Sequence, residues 1–420
     1  MPSPLRSLPS TLRHNLGTLR RSPLSELSGA LGDLGTFLPL TLALALHNAI
    51  DLPATLVTSG LFNLVTGAVF GIPLPVQPMK VIASATLSQP PGSHGGEIAI
   101  PAGMLVSLAV LLLSATGLVR RLVAVVPTAV VRGIQLGAGM GLIISAGPVA
   151  AEGVVLAVLT TGLLLATLRR PGFPAAGVVF GVGVAVVVWR GGGWEGVGEG
   201  GWTPRVRNPF GMWWRLAWDG RVLAAALGQL PLTVLNSVVA VAALGRELEG
   251  MEGVERPRET ALGVSVGLMG LVGGWVGGMP VCHGAGGLAA QYRFGARSGA
   301  SIMVLGAVKM AIGLIFGGEG LLKFLGRFPG GVLGIMLAAA GIELAKAGVG
   351  VYGHGVALHG VLGRKTDEEL TVVLVTAAAM LVTKNAGAGF IVGMLCHWSY
   401  RRADWWERRW IVGERRPLLT

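Results

Sequence analysis

The sequence predicts an all-α polytopic membrane protein with about fourteen transmembrane segments, arranged as two related halves of seven. Three observations predict this class: the chain is very apolar, its halves share sequence matches, and each half holds one segment too short to cross a bilayer. Of the 420 residues, 52% are hydrophobic and 13% are charged, roughly half the charged fraction of a soluble domain. Apolar runs near the membrane-spanning length of about 20 residues recur throughout, which excludes a soluble enzyme with one anchor.

The individual segments follow from splitting the apolar runs at proline, glycine and charged residues. The third and tenth are too short to cross the hydrocarbon core alone, so we expect two half-helices, each preceded by extended chain. The segments are residues 26–47, 53–71, 75–88, 98–118, 123–146, 149–168, 174–190, 220–244, 260–277, 281–294, 298–317, 328–348, 367–383 and 385–402.

The two halves match each other in sequence. Residues 64–73 align without a gap with residues 271–280, and each copy directly precedes a short segment. Because each half holds an odd number of segments, the second half must enter the membrane in the opposite sense, which makes an inverted repeat. Three more matches keep the same order: 38–41 with 230–233, Pro127 and Gly139 with Pro329 and Gly341, and Gly177 and Gly181 with Gly389 and Gly393.

The net charge of +12 is concentrated beyond segment ends, which argues against nucleic-acid binding. With inverted halves, the basic pairs and both termini fall on one face, and the excess of Lys and Arg identifies that face as cytosolic. An Arg- and Ser-rich start also resembles a transit peptide, but the same arginines orient the first segment, so a cytosolic tail is favoured. The pairs are Arg120–Arg121, Arg169–Arg170, Arg364–Lys365 and Arg401–Arg402.

This orientation gives a domain plan for a multi-pass protein whose main partner is the lipid bilayer. Cys282 and Cys396 lack disulfide or metal-site spacing, and no catalytic motif of a metalloprotease, serine hydrolase or phosphate-loop enzyme occurs, so we expect neither an enzyme nor a metal or other cofactor. The parts are an N-terminal tail (1–25), the first repeat (26–190), a tryptophan-rich non-cytosolic loop (191–219), the second repeat (220–402) and a C-terminal cytosolic tail (403–420).

The two short segments predict an anion-binding site. Three prolines in residues 73–78 prevent a helix there but are tolerated in a first turn, so we expect a helix to start near Gln77 or Pro78. The second short segment should start a helix near Cys282, where glycines leave backbone N–H groups uncovered. Two helix N-termini facing each other concentrate positive partial charge and free donors. Each contributes only about 0.3–1 kcal/mol, or up to about 2 when partly buried, so further donors are needed.

The candidate substrate-binding residues come from both short segments and from the eighth segment. Gln229, Thr233 and Ser237 recur every fourth residue, with Asn236 near the same helix face, and this polar stripe should face a cavity or bond to a neighbouring helix. His283 either titrates near neutral pH or only donates a hydrogen bond. The full set is Gln77, Lys80, Gln229, Thr233, Asn236, Ser237, Cys282, His283, Gly284 and Ala285.

Two charged residues inside predicted segments carry separate hypotheses. Lys80 lies one turn into a half-helix, where an unneutralised lysine costs roughly 2.5–3.5 kcal/mol; it either neutralises a substrate or pairs with Asp33. Asp33, among small residues early in the first segment, is a candidate for carrying a coupling proton. Its alternatives are a helix cap or a structural pair with Lys80.

At these residues the sequence resembles the MOT-type molybdate transporter family. The matching stretches are residues 29–39, 73–80, 229–237 and 280–287. The resemblance implies a secondary active transporter that binds molybdate between the half-helices. It also implies that the protein is related to the sulfate permeases and has the seven-plus-seven inverted-repeat fold that they share with uracil permease. In that fold a core (segments 1–4 and 8–11) moves like an elevator against a gate (segments 5–7 and 12–14).

Several alternatives stay open. Sulfate permeases usually carry a cytosolic STAS domain after the last segment, and the roughly eighteen residues after Arg402 are too few for one, which favours the molybdate branch of the family over the sulfate branch without bearing on selectivity. Sulfate or another oxyanion remains an alternative cargo, and an anion channel an alternative class. The sequence does not decide the coupling ion, a plasma-membrane or vacuolar and endomembrane location, or whether a homodimer forms.

Overall fold

The structure is a computed structural model of the whole chain. It describes residues 8–89, 96–119, 121, 125–167, 175–190, 218–248, 257–316, 326–349 and 361–414. Most of the predicted loop 191–219 lies outside the described residues, as do Arg120, the pair Arg169–Arg170 and the last six residues.

Helices make up nearly all of the described chain. In the first part they are α1 (Leu8–Arg21), α2 (Pro23–Leu31), α3 (Leu34–Leu46), α4 (Leu52–Phe70), α5 (Lys80–Leu87), α6 (Gly96–Ala115), α7 (Thr128–Ala151), α8 (Val154–Thr167) and α9 (Ala175–Trp189). In the second part they are α10 (Gly220–Leu232), a π-helical segment (Thr233–Ala240), α11 (Val241–Glu247), α12 (Glu259–Trp275), α13 (Ala285–Arg293), α14 (Ala300–Ile315), α15 (Gly330–Val349), α16 (Val361–Thr383) and α17 (Ala386–Glu414).

Four helices among the described residues are long and apolar enough to cross a membrane. They are Leu52–Phe70, Ile98–Ala115, Thr128–Ala151 and the continuous helix Gly220–Arg246; four shorter apolar helices accompany them. The helical architecture and apolar helices agree with an all-α integral membrane protein. The total of fourteen segments and the inverted repeat stay predictions.

Three elements differ from the sequence prediction. The first predicted segment is broken into α2 and α3 at Gly32–Asp33. Residues 8–21 of the predicted tail form the helix α1, and the last helix runs to Glu414 instead of ending near residue 402. Hydropathy did not predict α1 or the C-terminal part of the last helix, because both are amphipathic or polar and lie outside the apolar runs.

The helical fold also contains one small antiparallel sheet, which an all-α prediction does not include. Strand β1 (Val76–Pro78) pairs with β2 (Val281–His283), so that Gln77 lies opposite Cys282. A further backbone bond joins the Met79 N–H to the Pro280 carbonyl at 3.0 Å. Prolines make the first stretch extended, and extended backbone away from water must satisfy its polar groups within the protein. The second extended stretch provides those partners.

The strands lie in one hydrophobic cluster, and α5, which follows β1, reaches a second. One cluster includes Val81 beside residues of α3, α7 and α15, and the other includes Val76 and Val281 beside residues of α6, α10 and α12. The ladder is therefore in the interior, with packed helices on both sides.

Glycines allow two helix pairs to approach closely. A Cβ at Gly60 of α4 would lie 2.6 Å from the Gly306 carbonyl oxygen of α14, and a Cβ at Gly306 would lie 2.6 Å from the Gly60 oxygen. Gly139 of α7 and Gly341 of α15 oppose each other in the same way, at 2.5 and 2.7 Å. Such small-residue contacts are typical of helix packing in membranes. Gly139 and Gly341, matched in sequence between the halves, are thus also in contact.

Candidate functional site

The β1–β2 ladder brings the two short helices to one buried place. Directly opposed residues in an antiparallel pair project to the same face, so Gln77 and Cys282 are neighbours. Both are buried. Helix α5 begins at Lys80 and α13 at Ala285. The predicted starts near Gln77 and Cys282 were two or three residues too early, because those residues are paired as strand.

The N-terminus of α5 is already capped from another helix. The Oε1 atom of Gln229 accepts from the N–H of Val81 at 2.9 Å and of Ile82 at 3.4 Å. The Nε2 atom of the same side chain donates to the Thr233 hydroxyl at 2.8 Å. Gln229 thus makes hydrogen bonds between helices, which was the alternative to substrate binding, whereas its bond to Thr233 lies within its own helix.

The polar stripe of the eighth segment lies where the helix widens. Thr233–Ala240 is π-helical, a form frequent at functional sites. Gln229, Thr233 and Ser237 are buried, whereas Asn236 is only half-buried. Ser237 lies beside the Cys282 sulfur. A π-helical turn is wider than an α-helical one. Residues four apart, such as Thr233 and Ser237, therefore stay on the buried face of the helix, whereas Asn236 lies away from it.

The N-terminus of α13 is open. Its N-cap residue, Gly284, has no side chain to cap the helix. A Cβ at Gly286 would meet no atom within 4 Å, so this residue borders open space. Gly286 is exposed and Ala285 half-exposed, although the neighbouring Gly284 and Gly287 are buried. The first turn of α13 therefore has no side-chain cap and borders open space at Gly286.

The Gln77 side chain packs along the same turn. A Cβ at Gly284 would overlap the Gln77 Oε1 atom, and one at Gly287 would overlap its Nε2 atom. Glycine at both positions is thus needed to let the amide lie against α13. Lys80, half-buried in the first turn of α5, is near enough to Cys282 for its charge to act there.

A buried network links Gln77 to two charges. The Gln77 Nε2 atom donates to the Asp33 carboxylate at 2.6 Å, and the Lys309 ammonium lies 3.4 Å from the other carboxylate oxygen. Lys309 also lies over the Phe37 ring, 3.4 Å from its centroid. The exposed fraction of the side chain is 0% for Asp33 and 4% for Lys309. The carboxylate accepts only, so the Gln77 amide must turn its NH₂ group toward Asp33.

Lys309 is the functional candidate that sequence reasoning missed. The sequence offered Lys80 as a possible partner of Asp33, and the structure shows an ion pair between Asp33 and Lys309 on α14. The signal was available, because Lys309 lies within the apolar run 298–317 and an intramembrane lysine needs a partner. What the sequence did not reveal is that α14 passes the break between α2 and α3.

His283 lies apart from this network. Side chains alternate along a strand, so His283 projects to the face opposite Cys282 and Gln77. Its Nε2 atom is 3.0 Å from the Ser265 hydroxyl of α12, and its ring makes an edge contact with Phe70, with centroids 6.0 Å apart. The structure thus gathers Gln77, Cys282, Gly284 and Ala285 with Lys80 and Ser237 nearby, and separates His283 from them.

Comparison with known sequences identifies related proteins. The profile of a family described as "Molybdate transporter of MFS superfamily" matches residues 25–142 and 221–344. The chain is 36% identical to Molybdate transporter 2 of Arabidopsis thaliana, over 92% of this chain and 90% of that protein. It is 33% identical to Molybdate transporter 1 of the same plant, covering 94% and 92%, and 33% identical to Molybdate transporter 1 of Chlamydomonas reinhardtii, covering 88% and 90%.

Comparison with solved structures identifies the fold. The transmembrane domain of a cyanobacterium bicarbonate transporter, BicA, aligns with a TM-score of 0.58 at 17% identity, covering 89% of this chain and 97% of that one. Murine Solute Carrier 26 family member A9, an anion transporter in the inward-facing state, aligns with a TM-score of 0.63 at 15% identity, covering 93% and 71%. At 15–17% identity, these alignments show that the fold is shared.

The Asp33–Lys309 pair predicts strong coupling between two substitutions. Removing one partner of a buried pair leaves an uncompensated charge and costs about 3–5 kcal/mol. We expect Lys309→Met alone to lower the melting temperature of the purified protein markedly, and Asp33→Asn with Lys309→Met to recover most of the loss. The measurement is a double-mutant cycle of thermal unfolding in detergent. A double variant that loses as much as both single variants together would contradict the pairing.

Proposed function

This chain belongs to the molybdate transporter family, and on that premise we propose that it carries molybdate across a membrane, binding the oxyanion between helices α5 and α13. We propose a secondary active carrier in which the bound dianion faces each side of the membrane in turn. The observation that carries the proposal is the open N-terminus of α13, held by the β1–β2 ladder beside the N-terminus of α5.

The two helix ends have different roles in this proposal. Gln229 occupies the first donors of α5, so α5 contributes the Lys80 charge more than its N–H groups. The α13 end, which borders open space at Gly286, supplies backbone N–H groups and positive partial charge to the anion. A compact dianion needs both a cation and several donors to replace its hydration. Ser237, buried on the inner face of the π-helical segment, is a further donor.

The proposed transport cycle uses an inverted repeat of seven plus seven segments. The strand-then-short-helix units β1–α5 and β2–α13 occur at the positions predicted to be equivalent in the two halves, which supports this topology. A core of segments 1–4 and 8–11 would carry the site past a gate of segments 5–7 and 12–14. In the proposed orientation both termini are cytosolic.

The Asp33 network supports proton coupling. A protonated Asp33 would no longer neutralise Lys309, which lies 3.4 Å away, and the Gln77 amide would be free to turn. The net charge of the interior would then be more positive by one unit, which favours a dianion. Because such coupling is reciprocal, the dianion would also favour proton uptake. We propose molybdate–proton symport on this basis.

The proposed anion position predicts that side chains added at Gly286, which fill the open space there, weaken molybdate binding. A methyl group at Gly286 meets no protein atom, so we expect Gly286→Ala and Gly286→Val to fold normally and to weaken molybdate binding progressively, by at least about tenfold for Val, or about 1.4 kcal/mol. Lys80→Met should lose a similar factor. Binding of labelled molybdate to purified protein, with melting temperature recorded in parallel, measures both effects.

The matched control is Gly162→Ala, another glycine with no atom within 4 Å of an added Cβ, located on α8 away from the site. It should bind like the parent. Parental affinity in Gly286→Val and Lys80→Met would rule out this site. An excess of unlabelled sulfate added in the same assay distinguishes molybdate selectivity from general oxyanion binding.

Proton coupling predicts the behaviour of Asp33→Asn. The amide is nearly isosteric but does not titrate, and it leaves Lys309 unpaired, so the variant should be less stable. In the protein that remains folded, we expect molybdate uptake into vesicles to lose its stimulation by an inward proton gradient while equilibrium exchange of molybdate persists. The parent should show gradient-driven accumulation. Gradient-driven accumulation by Asp33→Asn would show that another group carries the proton.

A further inference from the structure

The N-terminal helix α1 has three distinct faces. Thr11 and Asn15 are buried against the protein. Leu8, Leu12, Leu16 and Leu19 recur every three or four residues and so form a stripe beside that buried face. Leu12 and Leu16 remain 39% and 48% exposed. Arg13 and Arg20, also exposed, lie across the helix from the buried residues. The leucine stripe therefore separates a protein-facing side from a basic side.

Asn15 fixes α1 to two helices at once. Its Nδ2 atom donates to the Gly67 carbonyl of α4 at 2.8 Å, and its Oδ1 atom accepts from the Gly299 N–H just before α14 at 3.0 Å. Gly299 also donates to the Gly71 carbonyl at 2.9 Å. Both ends of a buried amide are thus used to hold α1 where α4 ends and α14 begins.

The exposed leucines continue beyond α1. In α2, which follows after a single residue, Leu24 is 80% exposed, Leu27 43% and Leu31 38%. Most of helix α2 belongs to the first predicted transmembrane segment, whose outward side chains are expected to face lipid. An apolar stripe on α1 that joins this surface extends the lipid-facing side of the protein into the N-terminal helix.

We propose that α1 lies in the membrane–water interface of the cytosolic leaflet, with its leucine stripe among acyl chains and its arginines on anionic lipid headgroups. Exposed arginines on the side away from the protein, next to an apolar stripe, are the composition of an interfacial amphipathic helix. Arginines near an anionic surface are attracted to it. Because Asn15 ties α1 to α4 and α14, this contact anchors that helix pair at the lipid surface. The proposal depends on the chain spanning a membrane and is independent of the cargo.

Spin labels test the depth of α1 in full-length protein reconstituted into vesicles. Nitroxides at Leu12→Cys, Leu16→Cys and Ser10→Cys are compared in a background lacking Cys282 and Cys396. We expect the ratio of oxygen to nickel-chelate accessibility to be several-fold higher at positions 12 and 16 than at 10. Equal ratios at all three positions would overturn the interfacial placement.

Lipid charge tests the headgroup contact. We expect the accessibility ratio at position 16 to be at least twofold higher in vesicles with 30% phosphatidylglycerol than in phosphatidylcholine alone. Replacing Arg13, Arg20 and Arg21 by Gln should remove this difference. The control variant Arg401→Gln with Arg402→Gln removes exposed charges from α17 and should keep it. A ratio insensitive to phosphatidylglycerol, or one that the α17 control abolishes equally, would overturn recognition of anionic lipid by α1.

Discussion

The pairing of two three-residue strands is the constraint on which the rest of the molecule depends. Extended backbone in a membrane interior has no water to bond with, so each broken segment requires another one beside it. The β1–β2 ladder meets this requirement, and in doing so it sets the positions of α5 and α13. The helix ends are therefore close to each other because the extended chains preceding them are hydrogen-bonded together.

Two buried carboxylates show how the surrounding structure uses charge in different ways. Glu26 accepts from the backbone N–H groups of Arg297 and Ser301 at 2.8 and 3.1 Å and so caps the start of α14. Asp33 is held by the Gln77 and Lys309 side chains. The backbone N–H groups bound by Glu26 are fixed by the helix. The Gln77 amide and the Lys309 ammonium are on side chains, which can rotate away from Asp33. Asp33 is accordingly the acid whose partners are able to rearrange, and it contacts the residue that packs along α13.

Sequence patterns predicted the features that are set by residues close together in the chain. Prolines in residues 73–78 and glycines in residues 284–287 predicted two broken segments, and hydropathy predicted helices at most of their observed positions. Family resemblance from four motifs agreed with the family found by comparison. The sequence did not reveal contacts that depend on which elements meet: Lys309 with Asp33, Gln229 with the start of α5, and His283 with Ser265 on the opposite face of the strand. Helix α1 was missed because an amphipathic helix has little net hydropathy.

The central claim, that the two strands hold the helix ends together, is tested most directly by cross-linking across the ladder. Opposed Cα atoms in an antiparallel pair are about 4.5–5.5 Å apart, within the usual range for a disulfide. In a variant carrying Gln77→Cys and Cys396→Ser, oxidised in membranes, mass spectrometry should find the thiol introduced at position 77 linked to Cys282 in one disulfide-bonded peptide pair. The contrary result is that both thiols react separately with a small thiol reagent after denaturation and no linked peptide forms.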